Sequence, residues 1–448
     1  MEHLEGTNRR GFFGSVAAAA GALSSLAPAA LADDKPGGPY DFDTPFNRVG
    51  TDCVKWDQQI RIYGKENIAV GMGIADMDFR AAPAITNGLR ARMQHENWGY
   101  LDTPRSFTDA IIDWNRRRYG IDINPDLLLL GSGVHPSVID ALRTFSPPGS
   151  RVLVQTPTYD GFYGDISFAG CKPEDCPLKL VNGRYAMDFE DLERRIGPDT
   201  KTLILCNPQN PTGNCWSRQD LTTLGEICTR RGVVVFADEI HCDLVTKGNK
   251  YTPYSTLANK EIVRNSITFK AASKSFNLSA LKCSWMFTDN ADYVARLRAN
   301  HKQDFNTLGM IATRAAYTEG GDWLDHLVAY IDGNHDFIAS FVAANMPLVK
   351  VVKPQGTYLA WLDVSQLAER IGAKKLAAEA SQNAVASTTP VTPEMIVEDY
   401  FVKSAKVHIK AGSQYGAGGA GHMRMNIATS RKTLELALTN MVNALKQV

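Results

Sequence analysis

Residues 202–213 read Thr-Leu-Ile-Leu-Cys-Asn-Pro-Gln-Asn-Pro-Thr-Gly, and residues 233–244 read Val-Val-Val-Phe-Ala-Asp-Glu-Ile-His-Cys-Asp-Leu. Each begins as a short apolar run, rich in β-branched residues, and ends in polar and turn-forming ones. Between them Arg218–Arg231 has helical character. A strand, a helix and a second strand of this kind predict a parallel pair with both faces covered. The pattern repeats outward. Arg151–Gln155, Ser266–Phe269 and Cys283–Phe287 are further short apolar runs bounded by Pro, Gly, Asn or Asp, and Val138–Phe145 reads as a helix. Together they predict an α/β large domain with a mainly parallel sheet, whose binding residues collect at the carboxyl ends of the strands. The last third reads differently: helical stretches, Val349–Pro354, Thr357–Asp363 and a terminal helix suggest a smaller α+β domain. Residues 375–397, rich in Ala, Ser and Thr, read partly as a loop.

The chain has 448 residues, with 48 basic and 48 acidic side chains. That balance argues against a nucleic-acid partner, which would call for a basic surplus. Arg9-Arg10 precede Gly-Phe-Phe, an Ala-rich apolar stretch and Ala30-Leu31-Ala32. This order predicts a twin-arginine-type export signal over residues 1–32 and a periplasmic or otherwise exported protein, with no membrane association after cleavage. Removing it takes away Glu2, Glu5, Arg9 and Arg10, so the charge balance survives. Eight cysteines include no C-x-x-C pair, which disfavours a metal site. An oxidising compartment permits a Cys171–Cys176 bridge; free, buried thiols are the alternative.

Four polar features follow strands in order. Gly131-Ser-Gly-Val134 lies between an apolar run and a helix, where backbone N–H groups suit a phosphate. Asn207 and Asn210 follow the second strand, Asp238 ends the third, and Ser273-Lys274 follows the fourth. Each alone is an ordinary turn, cap or surface residue. Their joint order suits pyridoxal phosphate: an amine for the aldehyde, a carboxylate for the pyridine nitrogen, an amide for the ring oxygen and a cradle for the phosphate.

With Ile74–Phe79, Trp98–Tyr100, Gln155–Tyr159, Cys206–Gly213, Ala237–Leu244, Ser273–Leu278, Gly356–Asp363 and Met423–Ala428 in place, the chain resembles a fold type I pyridoxal-phosphate enzyme. It is similar to the aminotransferase class I/II superfamily and, within it, to the MalY/PatB-type cystathionine β-lyases. The resemblance implies a segment 40–82 packing with a small domain, a cofactor-binding large domain 83–325 and a small domain 326–448. It implies that Lys274 forms the Schiff base and moves the Cα proton, and that Asp238 pairs with the ring nitrogen. Asn210, rather than Asn207, and His241 face the ring oxygen, and Tyr159 stacks on the ring. Gly133, Val134, Ser273 and Lys282 hold the phosphate. Arg424, with Ala75 beside it, receives the substrate, Arg424 gripping the α-carboxylate. Tyr100 reaches the cofactor of a second subunit, implying a homodimer with shared sites. The activity implied is β-elimination from cystathionine or cysteine-S-conjugates to pyruvate, ammonia and a thiol. An exported aminotransferase acting on an amino acid, peptide or secondary metabolite is the alternative. The chain departs from the pattern at Gly73, where a tryptophan is usual, and a wider pocket is expected there.

Overall fold

The computed structural model describes residues 39–383 and 390–448; the predicted export signal lies outside them. The strands are β1 (Val70–Gly71), β2 (Leu128–Gly131), β3 (Arg151–Thr156), β4 (Lys172–Pro177), β5 (Lys179–Val181), β6 (Arg184–Ala186), β7 (Thr200–Cys206), β8 (Val234–Asp238), β9 (Ser266–Lys270), β10 (Ser284–Phe287), β11 (Lys350–Val351), β12 (Leu359–Asp363), β13 (Val407–His408), β14 (Lys410–Ala411) and β15 (His422–Asn426).

Seven of them form the large sheet in the order β2-β10-β9-β8-β7-β3-β4. The pairs β4/β3, β3/β7, β7/β8 and β8/β9 are parallel, while β10 runs against both neighbours. Side chains alternate across a strand, and here both sides are apolar. Val152, Val154, Ile204, Phe236 and Ile267 pack on one face with Val138, Leu142 and Phe145 of the helix Val134–Phe145. Leu153, Leu203, Leu205 and Val235 pack on the other with Leu221, Leu224 and Cys228 of the helix Arg218–Arg230. Ser217 and Asp220 close a capping box that starts the second of these helices. The polar loops therefore leave from the carboxyl edge of the sheet, after Thr156, Cys206, Asp238 and Lys270.

A four-stranded antiparallel sheet, β11-β12-β15-β14, follows toward the C-terminus. Its core includes Leu362, Met423, Met425, Val397, Phe401 and Leu438. The short strand β1 pairs with β13, tying the segment after residue 42 to this part of the chain. Residues 375–397, expected to be partly loop, are largely helical. Helices span Ala373–Asn383 and Pro393–Tyr400, and residues 384–389 lie outside the described ones. The Ala-rich composition favours the first helix. Thr392 caps the second through Met395 N, and Pro393 sits in its first turn. All eight cysteines are free, so no Cys171–Cys176 bridge forms. Among the described residues no helix is long and apolar enough to cross a membrane.

Candidate active site

A cavity of about 500 Å³ opens at the carboxyl edge of the large sheet. Its lining includes Gly133, Val134, Tyr159, Asn210, Asp238, His241, Ser273, Lys274 and Lys282. Nine of the residues singled out from the sequence thus converge on one hollow, although they span 150 positions of chain.

One end is built by the turn Ser132-Gly133 entering the helix Val134–Phe145. The first N–H groups of a helix have no intrahelical acceptor and carry the positive end of its dipole. Ser132, Ser273, Ser279 and the exposed Lys282 also line the cavity, giving hydroxyls and a cation suited to phosphate.

Asp238 closes β8 and is buried, its Oδ1 accepting from Ile240 N at 3.1 Å. Burial pushes its carboxyl up to about 6, with the Ile240 bond, His135 and Lys274 opposing. A partner cation would restore its ionisation, as a protonated ring nitrogen does. His241 is buried three residues later, and its Nδ1 has no hydrogen-bond partner among the described residues. Burial, followed by the Lys274 and Arg424 charges, holds its pKa well below 6.5, so the imidazole is neutral. A buried, unpartnered ring nitrogen is costly unless a ligand satisfies it.

Lys274 follows β9 and donates from Nζ to the Ala75 carbonyl at 2.9 Å. The Tyr358 hydroxyl donates to the same carbonyl at 2.9 Å. Burial, reinforced by Arg424, holds the Lys274 amine down at about 8, closer to the nucleophilic free base than an ordinary lysine. Arg424 comes from β15 and is buried. It donates from Nη1 to Asn210 Oδ1 at 3.2 Å and from Nη2 to the Gly73 carbonyl at 2.8 Å, and its Nε lacks a partner among the described residues. Among the described residues no carboxylate forms an ion pair with this guanidinium, which suits an acid arriving with a ligand.

Asn207, by contrast, is structural. Its Nδ2 donates to the Thr252 carbonyl at 2.9 Å, and its Oδ1 accepts from Trp216 N. Tyr100 is fully exposed and outside the cavity lining, on a run of exposed residues that includes Trp98. The space expected to be open at Gly73 is taken by His408: a Cβ on Gly73 would lie 2.3 Å from its Cε1.

The structure adds residues that sequence reading passed over. His135 and Asp165 also line the cavity, and Tyr358 fixes the carbonyl to which Lys274 bonds. His135 lies one residue beyond the phosphate turn, a position from which it could have been suspected; Asp165 and Tyr358 carry no local signal. The amine, the buried carboxylate, the unpartnered imidazole, the amide, the aromatic and the phosphate cradle fit a phosphorylated pyridine aldehyde.

The chain is 36% identical over 410 residues to "Cystathionine beta-lyase PatB" of Bacillus subtilis (strain 168), covering 90% of this chain and 100% of that protein. Its fold matches that of cystalysin from Treponema denticola, a structure containing pyridoxal 5′-phosphate, with TM-score 0.81 and 28% identity over 91% of this chain and 99% of that one. A PLP-bound C-S lyase from Staphylococcus hominis matches with TM-score 0.79 and 28% identity, again over 91% and 99%. The architecture is therefore the fold type I arrangement. The family model for aminotransferase class I and II matches residues 67–441. With that match spanning both sheets and every cavity residue named above, the chain belongs to the aminotransferase class I and II family.

Proposed function

We propose that the protein is a pyridoxal-phosphate-dependent carbon–sulfur β-lyase, acting on cystathionine or other cysteine-S-conjugates. The observation that carries the reading is a lysine amine held down at about 8 in the same cavity as a buried carboxylate, with the buried guanidinium of Arg424 bonded to Asn210 of its lining. Full-length relation to a cystathionine β-lyase supports elimination over transamination.

When bound, the cofactor supplies an electron sink that allows the Cα–H and then the Cβ–S bond of an amino acid to break. The protein's own groups do the rest. The N-terminal turn of the helix Val134–Phe145, with Ser273 and Lys282, holds the phosphate. Asp238 would hold a proton on the ring nitrogen, and Asn210 and His241 would hold the ring oxygen. Tyr159 offers its ring face. Arg424 receives the α-carboxylate through its free Nε edge, which orients the Cα–H bond toward Lys274. The Lys274 amine would take the Cα proton, with the Ala75 carbonyl and Tyr358 fixing its resting position. Pyruvate, ammonia and a thiol are the products.

Purified protein incubated with cystathionine should release pyruvate and free thiol together. Keto-acid formation that requires an acceptor, with no thiol, would instead indicate an aminotransferase. Exposed Trp98 and Tyr100 support a homodimer in which Tyr100 reaches the other subunit's cavity, testable by sedimentation. The Arg9-Arg10 leader supports export by the twin-arginine route. Fractionation of cells carrying Arg9→Lys/Arg10→Lys protein would test this, with retention in the cytoplasm expected.

A further inference from the structure

Three side chains of the cavity form a hydrogen-bonded chain whose polar links have no part in the proposed reaction. His135 stands in the first turn of the helix Val134–Phe145. Its Nδ1 lies 2.7 Å from Asp165 Oδ2, and its Nε2 lies 2.9 Å from the Tyr159 hydroxyl. Asp165 belongs to the next helix, Gly161–Phe168, and is buried. All three line the cavity.

Donor and acceptor capacity fixes the protons. A carboxylate only accepts, so Nδ1 carries the hydrogen that points at Asp165. In a neutral imidazole Nε2 is then an acceptor, and the Tyr159 O–H donates to it. The phenol is a reliable donor, because burial, together with the Asp160 charge, raises its pKa far above 10. If the imidazole gains a proton, Nε2–H becomes the donor and the phenol oxygen the acceptor. The Tyr159 hydrogen must then turn to another acceptor.

We propose that His135 and Asp165 are positioning residues that set the direction of the Tyr159 hydroxyl hydrogen, toward His135 when the imidazole is neutral and into the cavity when it is cationic. Its consequence for catalysis rests on the cofactor-site reading; the switch itself belongs to the protein with or without cofactor. The charged groups facing the pair are Asp165 and Asp160 beside Tyr159, Asp238 at the end of β8, Lys274 after β9 and Arg424 from β15. Burial and Lys274 oppose a cationic His135. The Asp165 hydrogen bond and charge, with Asp238 behind them, outweigh this and lift its pKa above 6.5. The cavity therefore gains a hydroxyl donor on the acid side of that pKa and loses it on the alkaline side.

The test is the ultraviolet difference absorbance of tyrosine, followed below pH 9 in the full-length protein with and without pyridoxal phosphate. A single titration centred above pH 6.5 is expected in wild type. It should vanish in His135→Gln and in Tyr159→Phe, and move to lower pH by one unit or more in Asp165→Asn. In the holoenzyme, the same ionisation should disappear from the kcat/KM profile of His135→Gln. A titration that persists unchanged in His135→Gln or Tyr159→Phe would overturn the proposal even if Asp165→Asn failed to fold. Absence of thiol release, with the tyrosine titration intact in wild type and lost in both variants, would overturn the lyase reading and leave the switch standing.

Discussion

The guanidinium of Arg424 is anchored to the Gly73 carbonyl at 2.8 Å, across 351 positions of sequence. That bond holds the fork of an arginine from β15, which also donates to Asn210 of the cavity lining. Lysine in its place keeps the charge and loses the fork. Arg424→Lys is expected to lower kcat/KM for an S-substituted cysteine by about 10²–10³-fold, mainly through KM, as removal of a buried charge-assisted contact does. Steady-state pyruvate release measures it, and a loss under tenfold would remove Arg424 from the carboxylate site.

Gly73 itself is held to glycine by His408. A Cβ there would approach Cε1 at 2.3 Å and Nδ1 at 2.7 Å. Gly73→Ala should cost about 1–3 kcal/mol of stability through overpacking. His408→Ala in the same chain should recover part of it. Urea unfolding of the single and double variants gives the coupling; additive losses would show that the two positions do not compete for space.

Lys274, with its amine held at about 8 by burial and Arg424, should capture pyridoxal phosphate faster as pH rises, levelling off above that value. Mixing experiments followed by absorbance give the profile. Lys274→Ala should bind the cofactor without the visible band that borohydride removes. A flat profile between pH 7 and 9 would mean that the amine is not the titrating nucleophile.

Asp238 trades stability for chemistry. Its folded pKa of about 6 lies above the ordinary 3.8, so the folded protein holds that proton more tightly than the unfolded chain. Its stabilising contribution is therefore full below about 4 and is lost as pH rises through about 6. Asp238→Asn, without cofactor at pH 7, is expected to be more stable than wild type by about 2–3 kcal/mol. Activity of the reconstituted variant should fall at least 10²-fold. Thermal unfolding against pH checks the sign; a variant no more stable than wild type at pH 7 would mean that the carboxylate is already compensated.

Tyr100 is fully exposed on one chain. If it completes a second subunit's cavity, refolding Lys274→Ala together with Tyr100→Phe should regain about a quarter of wild-type activity, since half of the dimers are hybrids with one intact site. No recovery would argue for sites built within one chain.

The strands after which the cavity residues follow were legible because each is a short apolar run that ends in small or polar residues. β7, β8 and β9 fall within two residues of their expected limits. β4 was not legible. As an edge strand it carries Lys172, Pro173, Glu174 and Asp175, and no apolar pattern marks it. The helices flanking residues 384–389 were read as loop because Ser, Thr and two prolines masked an Ala-rich first helix and a capped second one. At the site, Asn210, Asp238, His241 and Lys274 stand in recognisable local patterns and meet in one cavity. The contacts of His135 with Asp165 and of Gly73 with His408 arise only when distant segments pack, and periodicity carries no trace of them.

The short bridge from Arg424 to Asn210 decides which way that amide faces. A guanidinium can only donate, so Oδ1 of Asn210 must be the end turned toward it. Nδ2 is thereby left pointing the other way, as a donor. A side chain outside the cavity lining thus sets which end of a lining amide is offered as acceptor and which as donor.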